Sequence, residues 1–327
     1  MSTELDDVST AKKMQEAKAA ILSEISKVII GQSEAIEQVL ISLFARGHCL
    51  IMGVPGLAKT LLISSLSQIL DLKFSRIQFT PDLMPSDVTG SEILQEDPAS
   101  RQRSFRFVSG PIFANMILAD EINRTPPKTQ ASVLEAMQEF QVTIAGSTRA
   151  LPLPFFVMAT ENPIEQEGTY PLPEAQLDRF FLQIKMGYPS EEEERLIIAK
   201  TTGNHPASLN KILSAREVLD YQTLVRKVPI SDSAAHLAVR IVRQSRPEDP
   251  TAPDFIRKWI LWGAGPRAGQ ALVLGAKARA VLSGRLAATE EDVKAVSSPV
   301  LRHRLILNFQ AEADGAKADD IISRLIR

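Results

Sequence analysis

The chain has 327 residues, of which 44% are hydrophobic and 23% are charged, and its formal net charge is −2. This composition is ordinary for a folded globular protein, and the absence of a basic excess gives no indication of a nucleic-acid partner. One cysteine, Cys49, excludes an internal disulfide. No stretch approaches the roughly 18 apolar residues that a membrane span needs, and the polar N-terminus has no apolar signal core, so we expect a cytoplasmic protein.

The chain before the first predicted strand is expected to be helical. Residues 1–15 are polar and are predicted to be a weakly ordered lead, and helices are predicted over 16–30 and 34–45. Ile30 and Gly31 end a Val-Ile-Ile-Gly segment between these helices. The segment could line an adenine pocket or could simply pack as the end of a helix, and the residues alone favour neither.

A phosphate-binding loop is predicted between an apolar strand, Cys49–Met52, and the helix that begins near residue 61. Strand, glycine-rich turn, Lys-Thr and helix form the arrangement in which backbone N–H groups hold phosphates at a helix N-terminus. Lys59 is expected to reach the β- and γ-phosphates, and the Thr60 hydroxyl is expected to bind Mg²⁺. The predicted nucleotide-binding residues of this segment are Gly53, Val54, Pro55, Gly56, Leu57, Ala58, Lys59, Thr60 and Leu61.

Ala58 departs from the general loop pattern, which has glycine at this position. Alanine costs little there as long as its φ angle stays negative. The alternative for the whole octamer is an ordinary strand-to-helix turn followed by a chance Lys-Thr pair.

A second apolar strand, residues 116–119, ends in the carboxylates Asp120 and Glu121. Ligands bind at the carboxyl ends of strands in parallel α/β sheets. Asp120 is therefore predicted to hold Mg²⁺, directly or through water, and Glu121 to polarise the attacking water. Taken alone the two carboxylates are a weak signal, but downstream of a phosphate loop they are a strong one.

Two further polar residues lie next to predicted strands. Asn162 follows the strand over residues 155–159 and could hydrogen-bond a phosphate or the attacking water, although an Asn-Pro turn is the ordinary alternative. Arg179 precedes the strand over residues 181–184, and from the residues alone a surface salt bridge is the default interpretation.

Two β-hairpins are predicted inside this α/β region, over residues 93–107 and 141–154. Both show alternating apolar positions on either side of a turn. They could contact a partner or could be surface decoration. 

From Tyr188 onward the pattern indicates helices only. Arg267 begins one of them, where a cation is unfavourable unless an anion lies nearby. We therefore predict two domains, a nucleotide-binding core over residues 1–187 and a helical domain over 188–327. The main predicted helices are Ala215–Lys227, Asp232–Gln244, Arg267–Ser283 and Thr289–Leu301.

Four segments together resemble the MoxR family of AAA+ ATPases. They are Gly-Val-Pro-Gly-Leu-Ala-Lys-Thr at 53–60, Gln-Phe-Thr-Pro-Asp-Leu-Met-Pro-Ser-Asp at 78–87, Ala-Asp-Glu-Ile-Asn-Arg-Thr-Pro-Pro-Lys-Thr-Gln at 119–130 and Glu-Ala-Gln-Leu-Asp-Arg-Phe at 174–180. The resemblance implies an α/β fold: a parallel-sheet P-loop AAA+ core with inserted β-hairpins, followed by an all-α lid domain. Alanine at position 58 is usual in this family.

The resemblance also implies roles for three residues. Asn162 matches the sensor 1 position, Arg179 the arginine finger that reaches the ATP of a neighbouring subunit, and Arg267 the sensor 2 position. Two positions differ from the expected pattern: Glu161 replaces glutamine, which adds a negative charge near the phosphates, and Gly265 replaces serine.

The implied activity is ATP hydrolysis with Mg²⁺ by a homo-oligomer, a hexameric ring, that remodels or matures a protein client. By resemblance this client is often a protein with a von Willebrand factor A domain, and metal insertion is a further implied role. Two alternatives stay open: a motor that acts on nucleic acid, which the balanced charge of the first hairpin disfavours, and a nucleotide-dependent switch or scaffold with little hydrolysis of its own.

Overall fold

The computed structural model describes residues 2–96, 103–164, 168–203 and 208–327, with side chains from residue 7 onward. The helices of the first part are α1 (Ser2–Ile25), α2 (Ser33–Phe44), α3 (Lys59–Ile69), α4 (Pro85–Thr89), α5 (Pro127–Glu139) and α6 (Glu174–Leu177), with a 3-10 turn over Ile122–Arg124. The strands of this part are β1 (Cys49–Met52), β2 (Phe74–Gln78), β3 (Gly90–Glu96), β4 (Arg103–Ser109), β5 (Met116–Asp120), β6 (Gln141–Ile144), β7 (Ser147–Ala150), β8 (Phe156–Glu161) and β9 (Leu182–Lys185).

The rest of the chain is mostly helical. Its elements are α7 (Glu191–Thr201), α8 (Ala215–Lys227), α9 (Asp232–Gln244), α10 (Asp254–Trp259), β10 (Ile260–Trp262), α11 (Pro266–Leu282), α12 (Glu290–Leu301), β11 (Ile306–Leu307), α13 (Phe309–Ala313) and α14 (Ala318–Leu325). No helix in the described ranges combines the length and the apolar character that crossing a bilayer requires.

A parallel sheet organises the core, as the sequence predicts. The structure gives it five strands in the order β2-β5-β8-β1-β9. Its central strands are apolar up to their carboxyl ends because helices cover both faces of the sheet. Every residue of β5 is buried, for example. All five strands run in the same direction, so the phosphate loop, the Asp-Glu pair and Asn162 emerge at one edge of the sheet, which we call the carboxyl edge.

The predicted weakly ordered lead over residues 1–15 is wrong for the part that the structure describes. Helix α1 begins at Ser2 and ends at Ile25, several residues before the predicted end. Ala11 and Met14 are 2% and 0% exposed, and α1 contacts α3, α8 and α11. Packing against the helical domain therefore stabilises a segment whose polar composition alone does not favour helix.

Both predicted hairpins are present and they touch each other. The first pairs β3 with β4 from Gly90↔Ser109 to Glu96↔Arg103, and its tip at 97–102 is outside the described residues. The second pairs β6 with β7. Arg149 of β7 joins them, because its guanidinium lies 3.9 Å from the centre of the Phe107 ring and 3.4 Å from Glu92 Oε1.

The lid is helical, with one addition to the predicted helices. Strands β10 and β11 form a short antiparallel pair, with Ile260 opposite Leu307. The expectation of helices alone missed this pair because each strand is too short to show a period-two pattern. Apolar side chains of the lid and of one face of the sheet form a single buried cluster. A division at 187/188, between β9 and α7, remains a proposal.

Candidate active site

The phosphate loop leaves β1 at Gly53 and ends where α3 begins at Lys59. Gly56 has φ of +86° with nothing within 4 Å of the position that a Cβ would occupy, which leaves open space over the loop. Ala58 has φ of +56°, so the condition under which alanine would cost little at this position is not met. A left-handed alanine costs roughly 1–2 kcal/mol. The α3 N-terminus beyond this residue is the kind of site that binds phosphate.

Lys59 extends back over the loop, where its ammonium donates a hydrogen bond of 2.6 Å to the Gly53 carbonyl. Partial burial lowers the pKa of Lys59, while the nearby carboxylates of Asp120 and Glu121 oppose that shift. The ammonium therefore lies at the loop, close enough to the acidic pair to feel its charge, and its contact with phosphates stays a prediction.

Asp120 is 9% exposed and both of its carboxylate oxygens are hydrogen-bonded. Oδ1 accepts a bond of 2.7 Å from the Thr160 hydroxyl, and Oδ2 accepts bonds of 3.1 and 2.7 Å from Nε and Nη2 of Arg76. Thr160 also accepts a bond from the backbone N–H of Glu121 at 2.9 Å, so one hydroxyl aligns the ends of β5 and β8.

Glu121 has φ of +57°, which turns the chain sharply after β5. Its Oε2 accepts a hydrogen bond of 3.0 Å from Gln78 Nε2 and lies 3.4 Å from Arg124 Nη1. The carboxylate is thus held toward β2 by polar neighbours at the carboxyl edge.

Asn162 is 6% exposed. Its Oδ1 accepts a bond of 3.3 Å from the Ile164 N–H, whereas Nδ2 is buried with no partner among the described residues. A buried donor without an acceptor is costly, and a phosphate oxygen or a water at this position would satisfy it.

These residues fit ATP and Mg²⁺. Thr60 and Asp120 offer the hydroxyl and carboxylate oxygens that Mg²⁺ prefers, and this ion commonly needs only one or two protein ligands beside the phosphates. The open space above Gly56 leaves room for a phosphate group. The unpaired Nδ2 of Asn162 can donate one hydrogen bond to it. The described residues contain no group of three or more His, Cys, Asp or Glu side chains that could hold a metal ion by itself.

An apolar cavity of about 130 Å³ adjoins the loop. Ile30 lines it, as do Leu57, Ala58 and Leu61 of the predicted nucleotide-binding set. Ile197 and Lys200 of α7 form another wall. Gly31 does not line the cavity; its φ is +69°, and a Cβ there would lie 2.3 Å from Glu193 Oε1. Glycine at 31 therefore permits the close approach of α7.

A second cavity, of about 500 Å³, opens at the opposite edge of the sheet, which we call the amino edge. The N–H of Phe181 donates a bond of 2.7 Å to the His48 carbonyl, which fixes this position beside the start of β1. Asp178 is the one carboxylate among the residues that line this cavity. Its cationic lining consists of Arg46, Arg179, Arg226, Arg267 and Arg304.

Arg179 and Arg267 therefore lie together, and neither lies with the phosphate loop. Arg179 Nη1 donates a bond of 3.4 Å to the Leu134 carbonyl, and its Nε is buried with no partner among the described residues. Arg267 Nη1 lies 3.3 Å from Asp178 Oδ2, and 53% of its side chain is exposed. Sequence reasoning placed Arg267 at a helix start but did not predict that it joins Arg179.

Comparisons with known proteins identify the family of this chain. The model of the ATPase family associated with various cellular activities (AAA) matches residues 48–182, and that of the AAA lid domain matches residues 256–325. Chaperone MoxR1 of Mycobacterium tuberculosis is 41% identical over 93% of this chain and 79% of its own length. The uncharacterised protein YeaC of Bacillus subtilis is 40% identical, over 93% and 92%. The chain belongs to the MoxR family of AAA+ ATPases.

A solved structure supports the fold of this MoxR-family chain. A crystal structure of a Cytophaga hutchinsonii protein that is assigned as an ATPase superposes with a TM-score of 0.89 at 41% identity. The superposition covers 100% of this chain and 97% of that one. The α/β AAA+ core and the helical lid are thus confirmed, and the family is an ATP-hydrolysing, chaperone-like one.

One MoxR-family position differs in charge from the expected pattern. Glu161 ends β8, and its carbonyl accepts a bond of 3.5 Å from the N–H of Gly53. Burial raises the pKa of Glu161 from 4.5 to about 7. Its side chain therefore adds less negative charge at neutral pH than an ordinary glutamate would, which reduces the conflict with phosphate that the sequence predicts.

Sequence reasoning missed several residues of this MoxR-family site. Thr160, Arg76 and Gln78 bind the acidic pair, and Ile197 and Lys200 line the apolar cavity. Arg76 and Gln78 are two residues apart on β2 and so share one face, which is a signal that could have been read beside Asp120 and Glu121. Nothing local in α7 indicates that it reaches the loop.

Proposed function

We propose that this protein hydrolyses ATP to ADP and phosphate at sites completed between neighbouring copies of the chain. The separation of the two edges carries the proposal. Lys59, Asp120 and Glu121 are at the carboxyl edge, while Arg179 and Arg267 are at the amino edge. Two copies stacked edge to edge would place the arginines of one against the phosphate loop of the next, and repetition of this contact would close a ring, which we propose to be hexameric.

The residues of the carboxyl edge have distinct roles in this proposal. The loop N–H groups and Lys59 bind the phosphates, Thr60 and Asp120 hold Mg²⁺, and Asn162 donates to a phosphate oxygen or to the attacking water. Bound Mg²⁺ neutralises phosphate charge. Glu121 orients and polarises the water once its carboxylate leaves Gln78. Arg179 and Arg267 of the neighbouring copy would stabilise the charge on the transferred group.

We propose a protein as the client, by resemblance one with a von Willebrand factor A domain, with maturation or metal insertion as the outcome. One relative is called a chaperone. The first hairpin offers an apolar surface for such a client, because Leu94 and Phe105 are 55% and 73% exposed. Nucleic acid is the less favoured client, since Arg103 and Arg149 of the hairpins are already paired with Glu96 and Glu92.

ATPase activity per subunit, measured with Mg²⁺ from nanomolar to tens of micromolar protein, tests the proposal. A steep rise with concentration is expected, because the site is completed by a neighbour. A flat, substantial rate from particles that sizing in ATP shows to be monomeric would overturn the shared site. A rate near zero at every concentration would instead favour the nucleotide-dependent switch.

A further inference from the structure

The guanidinium of Arg304 is the most deeply buried positive charge of the amino edge. Its side chain is 3% exposed. Nε donates to Asp178 Oδ1 at 2.8 Å, Nη1 donates to the carbonyls of Val300 and Phe181, and Nη2 donates to the carbonyls of Asp178 and Phe180. An arginine has five N–H donors, so all of them are used. A charge is buried this completely only when it is paired and hydrogen-bonded.

These bonds surround one residue. Asp178 precedes Arg179, and Phe180 and Phe181 follow it, so Arg304 binds the backbone on both sides of the proposed finger. His303 adds to this grip: its Nε2 donates a bond of 3.0 Å to the Phe180 carbonyl. The lid segment after α12 therefore holds the short chain segment that presents Arg179.

Asp178 links this segment to the second arginine of the cavity. Its Oδ1 accepts from Arg304, and its Oδ2 accepts from Arg267 Nη1 at 3.3 Å. Arg267 belongs to α11 and Arg304 follows α12, and these helices pack against each other. Asp178 therefore ties Arg267 to the segment that carries Arg179. Its carboxylate thus sets the distance between Arg179 and Arg267, the two cations that would face the nucleotide of a neighbouring copy.

We propose that Arg304 is a positioning residue of the shared ATP site, which it serves by fixing Arg179 and, through Asp178, Arg267. This inference rests on the proposed function. Arg304 touches no nucleotide; it acts on the ATP of the next copy by holding the residues that do. A misplacement of 1 Å can cost about 10²-fold in rate, so we expect Arg304→Met to lower kcat by about that factor and to leave the KM for ATP unchanged.

Mixtures of two variants separate positioning from a general structural role. Lys59→Ala keeps the finger but lacks the phosphate-binding lysine, whereas Arg179→Ala keeps the loop but lacks the finger. Together they form a reference mixture. Activity returns there only at sites where an Arg179→Ala subunit supplies the phosphate loop and a Lys59→Ala subunit supplies the finger. Lys59→Ala/Arg304→Met mixed with Arg179→Ala tests Arg304 as part of a finger donor. Arg304→Met mixed with Lys59→Ala tests the opposite role: here the subunit that carries Arg304→Met supplies the phosphate loop, and the Lys59→Ala subunit supplies the finger.

We expect the finger-donor mixture to recover about 10²-fold less activity than the reference and the nucleotide-site mixture to recover the reference level. Arg302→Met is the matched control. Arg302 also binds a core carbonyl, that of Gln183 at 3.0 Å, but beyond the segment that flanks Arg179. Lys59→Ala/Arg302→Met should therefore match the reference as a finger donor.

Two results would overturn the inference alone. Full recovery in the finger-donor mixture would show that Arg304 is not needed there, and loss of activity in both Arg304 mixtures would show a general structural role. No recovery in the reference mixture would overturn the proposed shared site, and this inference with it.

Discussion

Arg76 donates two hydrogen bonds to a single oxygen of Asp120, at 3.1 Å from Nε and 2.7 Å from Nη2. That oxygen belongs to the carboxylate that we propose as a Mg²⁺ ligand. The guanidinium and the metal ion therefore compete for the same negative charge. Because 48% of the Arg76 side chain is exposed, water screens the pair and the competition is modest.

Arg76→Met is expected to tighten Mg²⁺ binding several-fold by removing the competing cation. Mn²⁺ titration of the ATP-bound protein, followed by electron paramagnetic resonance, would measure this without depending on turnover. Arg103→Met is the control, because it removes another exposed arginine that is paired with a carboxylate, on the first hairpin. It should leave the metal affinity unchanged. An unchanged or weaker metal affinity in Arg76→Met would show that the pair supports the site instead of competing with it.

Arg179→Ala is expected to lower kcat by about 10³-fold or more, the range for an arginine supplied in trans. ATP affinity should stay near its original value because Arg179 lies at the edge opposite to its own phosphate loop. Turnover and the binding of a fluorescent ATP analogue measure the two effects separately. Arg216→Ala, on an arginine that is 84% exposed, should change neither. An equal loss of nucleotide affinity would remove the finger role.

Glu121→Gln is expected to stop hydrolysis while ATP stays bound, because an amide keeps the shape of the side chain but cannot polarise water as a carboxylate does. The assembly should then persist in ATP, as size-exclusion chromatography with bound-nucleotide analysis would show. Hydrolysis at the original rate would mean that another residue activates the water.

Ile197→Ala is expected to weaken ATP binding by up to about tenfold, since it removes apolar surface from the cavity beside the loop. Ile198→Ala is the matched control: the neighbouring side chain on α7 is 61% exposed and does not line the cavity. Calorimetric titration with ATP compares them. Equal affinities in the two variants would mean that the adenine binds elsewhere.

Glu161→Gln is expected to change the pH dependence of stability. Burial raises the pKa of Glu161 from 4.5 to about 7, so the folded state holds this proton more tightly than the unfolded state. Stability contributed by the protonated form is therefore present below pH 4.5 and is lost as pH rises to about 7. The glutamine variant lacks this loss. As pH rises from 4.5 to about 7, its free energy of unfolding should therefore increase relative to that of the original protein by on the order of 3 kcal/mol.

Urea unfolding between pH 4.5 and 8 measures this difference, and Glu194→Gln, on an exposed glutamate, serves as control. If the original protein and Glu161→Gln keep a constant difference in unfolding free energy at every pH, the carboxylate titrates normally.

Residues that act through local geometry could be identified from the amino-acid sequence. A phosphate loop needs only a strand, a turn and a helix start in succession, so Lys59 and Thr60 could be identified from a few neighbouring residues. The Asp-Glu pair after an apolar strand follows from the same logic, because parallel strands bring their carboxyl ends to one edge. The backbone angle of Ala58 was not predictable in this way, and its φ is positive.

Contacts between distant segments, in contrast, depend on tertiary packing. Ile197 reaches the loop because α7 forms one wall of the cavity beside it, and Arg267 joins Arg179 because α11 packs against helices from both parts of the chain, including α2 and α12. No local pattern encodes such packing. The same holds for α1, where Ala11 and Met14 are buried and the helix contacts α3, α8 and α11. It holds also for Arg304, whose charge is satisfied by carbonyls more than a hundred residues earlier in the chain. A local motif depends only on residues that are neighbours in sequence. The partner of a buried charge depends on how the whole chain packs, and that packing is driven by the summed burial of many apolar side chains.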